Sequence, residues 1–340
     1  MSPEVGRIGR NQEQSFISGD STCCHIADVF PTATDSTGAT KKTTFSAAGY
    51  AAARPSYPAS LFRTVLAYHN AQSTSGVLLD IGCGHGLVAR AMSPHFAHVV
   101  GIDTSPGMIE QAASSTQDAN ITFRQAGAED LSFLDDEAVD MIVAGQSAHW
   151  FDYDKAWPEL GRVLKPHGSL AFWGYKDNVL VGHEQANRIF DKYCYADGEV
   201  EPGLQGMNAY WEQPGRNRVR NLLREVQPPE KDWGDIRRIL YDVTPDCAEV
   251  PGTETAWMQN RINLGQLEAY VRTFSAFQGW RDAHPDIKSR AEGGGQGDLV
   301  DHLMHRIVDS EPTWKKLGQG WRTGEVDTVW GTYILLAKKR

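Results

Sequence analysis

Residues 77–86 read VLLDIGCGHG, and this stretch limits what the chain can fold into more than any other. The apolar run reads as a strand buried on both faces of a parallel sheet. The three glycines that follow, Gly82, Gly84 and Gly86, let the next turn bring its backbone against a ligand. A dinucleotide fingerprint would need GxGxxG, with a glycine at position 87. That position is Leu87, so the spacing is GxGxG. Asp80, two residues ahead of the first glycine, would repel a phosphate and suits a cationic ligand. The next apolar run, 98–102, ends at Asp103, a strand-end acid suited to accept hydrogen bonds from both hydroxyls of a ribose. Asp80 and Asp103 lie 23 residues apart, which matches a strand-helix-strand unit of about 20 to 30 residues.

The segments that follow keep that rhythm. Ser105, Pro106, Gly107 and Met108 open a helix. Residues 121–130 (ITFRQAGAED) and 139–144 (VDMIVA) read as further strands with their exits. Residues 160–172 (LGRVLKPHGSLAF) read as a helix, a Pro-Gly type of turn and a fifth strand. This ordered set resembles the methyl-donor site of the class I S-adenosylmethionine-dependent methyltransferases. The resemblance implies an α/β fold, a doubly wound seven-stranded Rossmann-like methyltransferase sheet. It also implies S-adenosyl-L-methionine as cofactor, leaving as S-adenosyl-L-homocysteine, and no metal. Asp80 then faces the donor's amino group through water or backbone, and Asp103 its ribose; the alternative for either is a structural acid at a strand end. Ala128 and Glu129 match family positions beside the adenine, and Met108 and Gln146 are also expected at the cofactor. The loop 145–151 lies under the reacting methyl. Tyr50 and Arg54 resemble positions that close over the donor, with Arg54 suited to the methionine carboxylate, the alternative being a surface arginine in a loop.

Composition adds limits. With 340 residues, 41% of them hydrophobic and 22% charged, the chain can bury a full α/β core with material left over. A net charge of −10 argues against a nucleic-acid partner, because phosphate binding needs clustered Lys and Arg. A small acidic substrate would be repelled at long range, so it needs local arginines. The five cysteines, Cys23, Cys24, Cys83, Cys194 and Cys247, show no CxxC spacing and read as reduced thiols without a zinc site. No apolar run approaches the roughly 18 residues needed to span a membrane. Arg7 and Arg10 are accompanied by Glu4 and Glu13 with no apolar stretch after them, so no signal or transit peptide is expected and the expected compartment is cytoplasmic. Nothing in the pattern specifies an oligomeric state.

Residues 1–43 are rich in Ser, Thr, Gly and Asp without apolar period, and read as a disordered tail. Residues 44–340 read as the methyltransferase domain: a core over about 60–180 with strands at 236–243 and 327–337 pairing as an antiparallel edge, and a helical lid over about 195–230 and 253–312. Helices are expected at 61–69, 183–195, 219–226, 264–280 and 299–308, with a Gly-rich hinge at 293–297. The lid-side stretches YWEQPGR (210–216), AHWF (148–151), AFWGY (171–175) and YVRTFSAF (270–277) resemble the fungal trans-aconitate methyltransferases. That resemblance covers the chain from Phe45 onward and implies methyl-ester formation on one carboxylate of a small polycarboxylic acid.

A carboxylate acceptor is already ionised at neutral pH, so it needs orientation and exclusion of water rather than a base. One carboxylate of a polyacid can be gripped by arginine while another, lightly held by Tyr or Trp, faces the methyl. Arg216, after a Pro-Gly turn beside Tyr210 and Trp211, is the expected anchor, and Arg272 the second candidate; Arg272 could equally pair with an internal acid. Tyr175 is expected in the same pocket. Arg220 and Arg224, at i+4 and i+8 from Arg216, read as a solvated helix face. Tyr270 and Phe277 read as packing residues. His149 and Trp150 are the residues expected closest to the chemistry. His149 would be a base for a hydroxyl or nitrogen acceptor and a hydrogen-bonding pocket wall for a carboxylate; Trp150 is apolar cover. A protein that binds the donor without transferring its methyl is a further alternative.

Overall fold

The structure, a computed structural model, describes residues 57–69, 76–249 and 258–340. The tail 1–43, Tyr50 and Arg54 lie outside the described residues. In chain order the core elements are α1 (Ala59–His69), β1 (Val77–Ile81), α2 (Leu87–Met92), β2 (His98–Asp103), α3 (Pro106–Ser114), β3 (Ile121–Gln125), β4 (Val139–Gly145), α4 (Tyr153–Val163) and β5 (Leu164–Leu180). Then come α5 (Glu184–Tyr195), a small hairpin of β6 (Glu199–Glu201) and β7 (Leu204–Gln205), α6 (Gly215–Arg220) and β8 (Trp233–Tyr241). The chain continues with β9 (Gln259–Asn263), α7 (Leu264–Arg272), α8 (Ser275–Ala283), α9 (Leu299–Ser310), α10 (Pro312–Lys315) and β10 (Glu325–Lys339).

The main sheet runs β3-β2-β1-β4-β5-β10-β8, with β9 also paired to β10. β1 to β5 are parallel, and β10 runs antiparallel to β5, β8 and β9. The strand order reverses between β1 and β4, which opens a crevice at their carboxyl ends where such sheets take ligands. Both faces are covered. Leu79 and Ile81 of β1 pack with Leu160 and Val163 of α4 on one side, while Leu78 packs with Leu61, Val65 and Val88 from α1 and α2 on the other. That two-sided burial is why β1 reads as an unbroken apolar run rather than an alternating one.

The expected antiparallel edge forms: β8 and β10 pair over Thr332↔Tyr241 to Lys339↔Trp233. The sheet has eight strands rather than seven, because β9 adds to the first half of β10 (Val329↔Gln259) beyond the end of β8. The turn expected at 165–168 is absorbed into β5 as an irregularity, with His167 in the left-handed region (φ 63°).

Two helices differ from their periodicity. Val219, Leu222, Leu223 and Val226 have helical spacing and all are buried, yet α6 covers only Gly215–Arg220. Leu222 and Leu223 turn left-handed (φ 53° and 54°), and Arg238 supplies donors to the carbonyls of Leu223 (3.1 Å) and Val226 that a continuing helix would have satisfied itself. The apolar period over 264–280 splits into α7 and α8. Phe274 goes extended to bury its ring against Phe190 and Tyr270, and the Thr273 hydroxyl donates back to the Tyr270 carbonyl (2.6 Å).

Helices α5, α7, α8 and α9 share their own core, including Phe190, Tyr193, Leu267, Val271, Phe277, Trp280 and Leu303. Beside it Arg272 is gripped by three acids: Glu268 (3.0 Å), Asp298 (2.6 Å) and Asp301 (3.0 Å). Asp298 and Asp301 also form the capping box of α9, so one guanidinium ties α7 to the start of α9. Replacing Arg272 by Met would leave the shielded Asp298 and Asp301 carboxylates without their cation, whereas Glu268 keeps Arg322 (2.7 Å). Urea unfolding should show a loss of about 2 kcal/mol, below the roughly 3–5 for a fully buried pair because the side chain is partly exposed, with no change in donor affinity.

Candidate active site

At the end of β1 the chain turns through three left-handed glycines, Gly82 (φ 67°), Gly84 (φ 54°) and Gly86 (φ 84°). The turn is held by Cys83 N donating to the Ile102 carbonyl (2.8 Å) and Gly84 N donating to Asp103 Oδ2 (2.9 Å). Asp103 Oδ1 accepts from Ser105 N (2.9 Å), so one carboxylate fixes both the glycine turn and the start of α3. A Cβ on Gly82 would strike the Ser147 side chain, whereas one on Gly84 would meet nothing within 4 Å. Gly82 is therefore needed for packing, and Gly84 faces open space where a ligand can approach the backbone.

Asp80 lies behind this turn, 1% exposed. Its carboxylate oxygens make no short hydrogen bond, and only a longer contact with the Ala89 amide eases their burial. Burial pushes its pKa up to about 7; the Ala89 amide in α2 offsets this in part and the nearby Asp103 adds to it. The group is thus a concealed negative charge that acts through the turn by its field rather than by direct contact.

The loop after β4 closes the crevice. Gln146 sits left-handed (φ 57°), and its amide bridges both backbone groups of Tyr175, donating to the carbonyl (2.9 Å) and accepting from the N–H (2.7 Å). It extends the β4–β5 ladder by one rung, which leaves it a clamp rather than a free donor to the cofactor. Ser147 donates to the Ile81 carbonyl (2.6 Å) and ties the loop to the end of β1. His149 is buried with its ring 4.6 Å from that of Trp150, which is 49% exposed. Glu129 accepts from Asp152 N (2.8 Å), and Ala128 is buried beneath. Met108 lies in the first turn of α3, its N–H on the Ser105 hydroxyl (3.4 Å).

Helix α6 packs on this loop. A Cβ on Gly215 would meet the Trp150 ring at 2.5 Å, and Arg218 donates to the carbonyls of His149 (3.2 Å) and Phe151 (2.9 Å). From the same helix Arg216, 13% exposed, lies over the rings of Trp211 (4.0 Å) and Tyr195 (5.1 Å) and pairs with Asp177 of β5. The Tyr195 hydroxyl donates to the other Asp177 oxygen. Trp211 donates to the Cys194 carbonyl (2.8 Å) and stacks on Tyr195. Tyr210 packs against Gly279 of α8, and Tyr175 is buried with Met258 and Trp330.

Arg272 does not join this group. Its guanidinium is held by Glu268, Asp298 and Asp301, the internal pairing that was the other reading of this residue. Arg220, one turn after Arg216 in α6, shares its face and lies over the same Tyr195 ring (3.6 Å), while Arg224 falls beyond the helix, which ends at Arg220; they pair with Asp191 (3.2 Å) and Asp242 (3.1 Å). The sequence reading missed Ser147, Asp177, Tyr195 and Arg218. Each acts through a partner distant in the chain, so no local period marks them.

The comparisons agree with this geometry. Residues 79–172 match the family model described as a methyltransferase domain. The chain is 30% identical over 253 residues to the "Probable S-adenosylmethionine-dependent methyltransferase CRG1" of Saccharomyces cerevisiae, covering 72% of this chain and 84% of that one. It is 29% identical over 258 residues to a methyltransferase of Claviceps purpurea, covering 66% and 78%. A solved structure from Anaeromyxobacter dehalogenans superposes with a TM-score of 0.57 at 21% identity, covering 84% of this chain and 97% of that one, and shares the fold. The chain belongs to the class I S-adenosylmethionine-dependent methyltransferases.

The family implies S-adenosylmethionine, and the residues fit it: a backbone turn open at Gly84, a strand-end acid at Asp103, and a buried negative charge behind them. Among the described residues no group of three or more His, Cys, Asp or Glu is placed to hold a metal, and no helix is long and apolar enough to cross a membrane.

Asp80 gives donor binding a pH dependence. Its folded pKa is raised, so the proton is held until about pH 7 and the negative charge is present only above that. A cationic donor favours the charged form, so its affinity should fall as pH drops from 8 to 6, with about half a proton released per donor bound at pH 7. Calorimetry in buffers of different ionisation enthalpy measures this. In Asp80→Asn the proton release should vanish and the affinity lose its slope in this range.

Proposed function

We propose that the enzyme moves the methyl group of S-adenosylmethionine onto a carboxylate of a small polycarboxylic acid, forming a methyl ester. The observation that carries the reading is Arg216. Its guanidinium is shielded, faces an aromatic wall, and already holds a carboxylate, that of Asp177. It does so on the helix that packs against Trp150 and the loop after β4. Helices α5 to α9 form a lid over this region in the same reading.

When bound, S-adenosylmethionine supplies an electrophilic methyl on a positively charged sulfur. An acid with a pKa of roughly 4 arrives ionised at neutral pH, so no residue has to remove a proton. The protein's part is orientation and dryness. Gly84 and Asp103 fix the donor backbone and ribose, and Asp80 favours the positive charge through its field. Trp150 covers the acceptor from water. Arg216 grips a non-reacting carboxylate, since pairing the attacking oxygen would lower its nucleophilicity. His149 serves as a pocket wall.

The test is incubation with S-adenosylmethionine and a panel of tricarballylate, aconitate, glutarate, an aromatic diacid and a phenol, read by mass spectrometry for gain of one methyl. Methylation of an acid supports the reading; turnover of the phenol alone would falsify it. His149→Ala should keep most ester-forming activity, whereas a hydroxyl acceptor relying on it as base would lose roughly 10²-fold or more. Arg216→Ala should raise the Michaelis constant for a polyacid by roughly 30-fold or more, about 2 kcal/mol, while the donor constant stays within about twofold.

A further inference from the structure

The carboxylate that Arg216 holds belongs to the protein itself. From this we infer that Asp177 is an internal stand-in for substrate, and that the cavity beside it receives the non-reacting carboxylates of a small polyacid. The inference rests on the carboxylate reading above and adds a subsite and the residue that sets its selectivity.

β5 outlasts its neighbour: β4 pairs with it only as far as Gly145↔Trp173. Beyond the Gln146 clamp on Tyr175, Lys176 and Asp177 line a cavity of about 280 Å³ together with Tyr195 and Phe190 of α5 and Arg220 of α6. That is room for roughly nine waters at about 30 Å³ each, the size of a short-chain acid. Asp80, Gly84 and Asp103 are not among its walls, so this space is separate from the donor's cradle.

Two cations line it, Lys176 and Arg220, and a third, Arg216, lies behind its wall on Asp177; each already has an acid. Arg220 pairs with Asp191 (3.2 Å) and Lys176 with Asp242 (2.5 Å); both acids are well exposed, so water competes and either cation can change partner at little cost. The Arg216–Asp177 pair is different. Both side chains are shielded, and the Tyr195 hydroxyl holds the second Asp177 oxygen. A monocarboxylate reaching Arg216 would only trade one shielded carboxylate for another, with nothing gained. An acid with further carboxylates also engages Lys176 or Arg220, and that surplus can displace Asp177, which keeps Tyr195 as partner. The site then selects by number of charges, and the chain's own acid is the competitor that sets the threshold.

The experiment is calorimetry on the full chain saturated with S-adenosylhomocysteine, titrated with tricarballylate, glutarate and butyrate. In the unaltered protein affinity should fall in that order, with no detectable butyrate binding. Asp177→Asn, nearly isosteric, should tighten all three at least tenfold, bring butyrate into range and collapse the preference for tricarballylate. Arg220→Gln should weaken tricarballylate about tenfold and, combined with Asp177→Asn, leave butyrate unchanged. An Asp177→Asn protein that binds these acids no better, or keeps the original ranking, overturns the inference. Unchanged S-adenosylhomocysteine affinity shows that each variant is folded. If the acids bind as described but none is ever methylated, the ester-forming reading fails and the subsite stands. If an acid is methylated but Asp177→Asn leaves the ranking untouched, the reverse holds.

Discussion

The arrangement depends on one unpaired negative charge. Asp80, one residue before the end of β1, is enclosed in the protein with only the Ala89 amide to ease its burial, a condition that is costly for a carboxylate. Three left-handed glycines lie between it and the open crevice, so the charge is felt by a ligand that never touches it. A fold retains such a group when something bound outside repays it, and a sulfonium carrying an ammonium does so. The rest of the donor site follows from that placement: Asp103 braces the turn, Ser147 ties the closing loop to β1, and Gly82 leaves room for that tie.

The acceptor side is built on a different logic. Where Asp80 is left without a cation, the cations near α6 are all satisfied internally: Arg216 by Asp177, Arg220 by Asp191 and Lys176 by Asp242. The resting protein thus has little net attraction for a stray anion, which agrees with a net charge of −10. In the proposed reading, binding there is an exchange of partners rather than the filling of an unmet charge. Helix α6 links the two sides, since Arg218 holds the loop that carries His149 and Trp150 while Arg216 points to β5.

The donor half was legible in the sequence because its signals are local. The glycine spacing, the acid before it and the acid ending the next strand all lie within 24 consecutive residues, and β1 to β5 were read in order. The antiparallel β8–β10 edge was legible from two apolar runs. The acceptor half was not, because its contacts join distant segments. Asp177 meets Arg216 across 39 positions, and Arg218 meets the His149 carbonyl across 69; nothing about either arginine's neighbours tells which partner it will find. Helix ends failed for a related reason. The spacing of Val219, Leu222, Leu223 and Val226 reports burial correctly, but the donors from Arg238, a strand away, let the chain leave the helix early.

The most direct test is calorimetric titration with S-adenosylmethionine and S-adenosylhomocysteine on the unaltered chain and on Gly84→Val, whose side chain would project into the open space over the turn. The account predicts one donor per chain in the first and loss of both ligands in the second, which stays folded by circular dichroism although the left-handed backbone at φ 54° makes it less stable by about 1–2 kcal/mol. Absence of heat in the unaltered protein, or undiminished affinity in Gly84→Val, would contradict it.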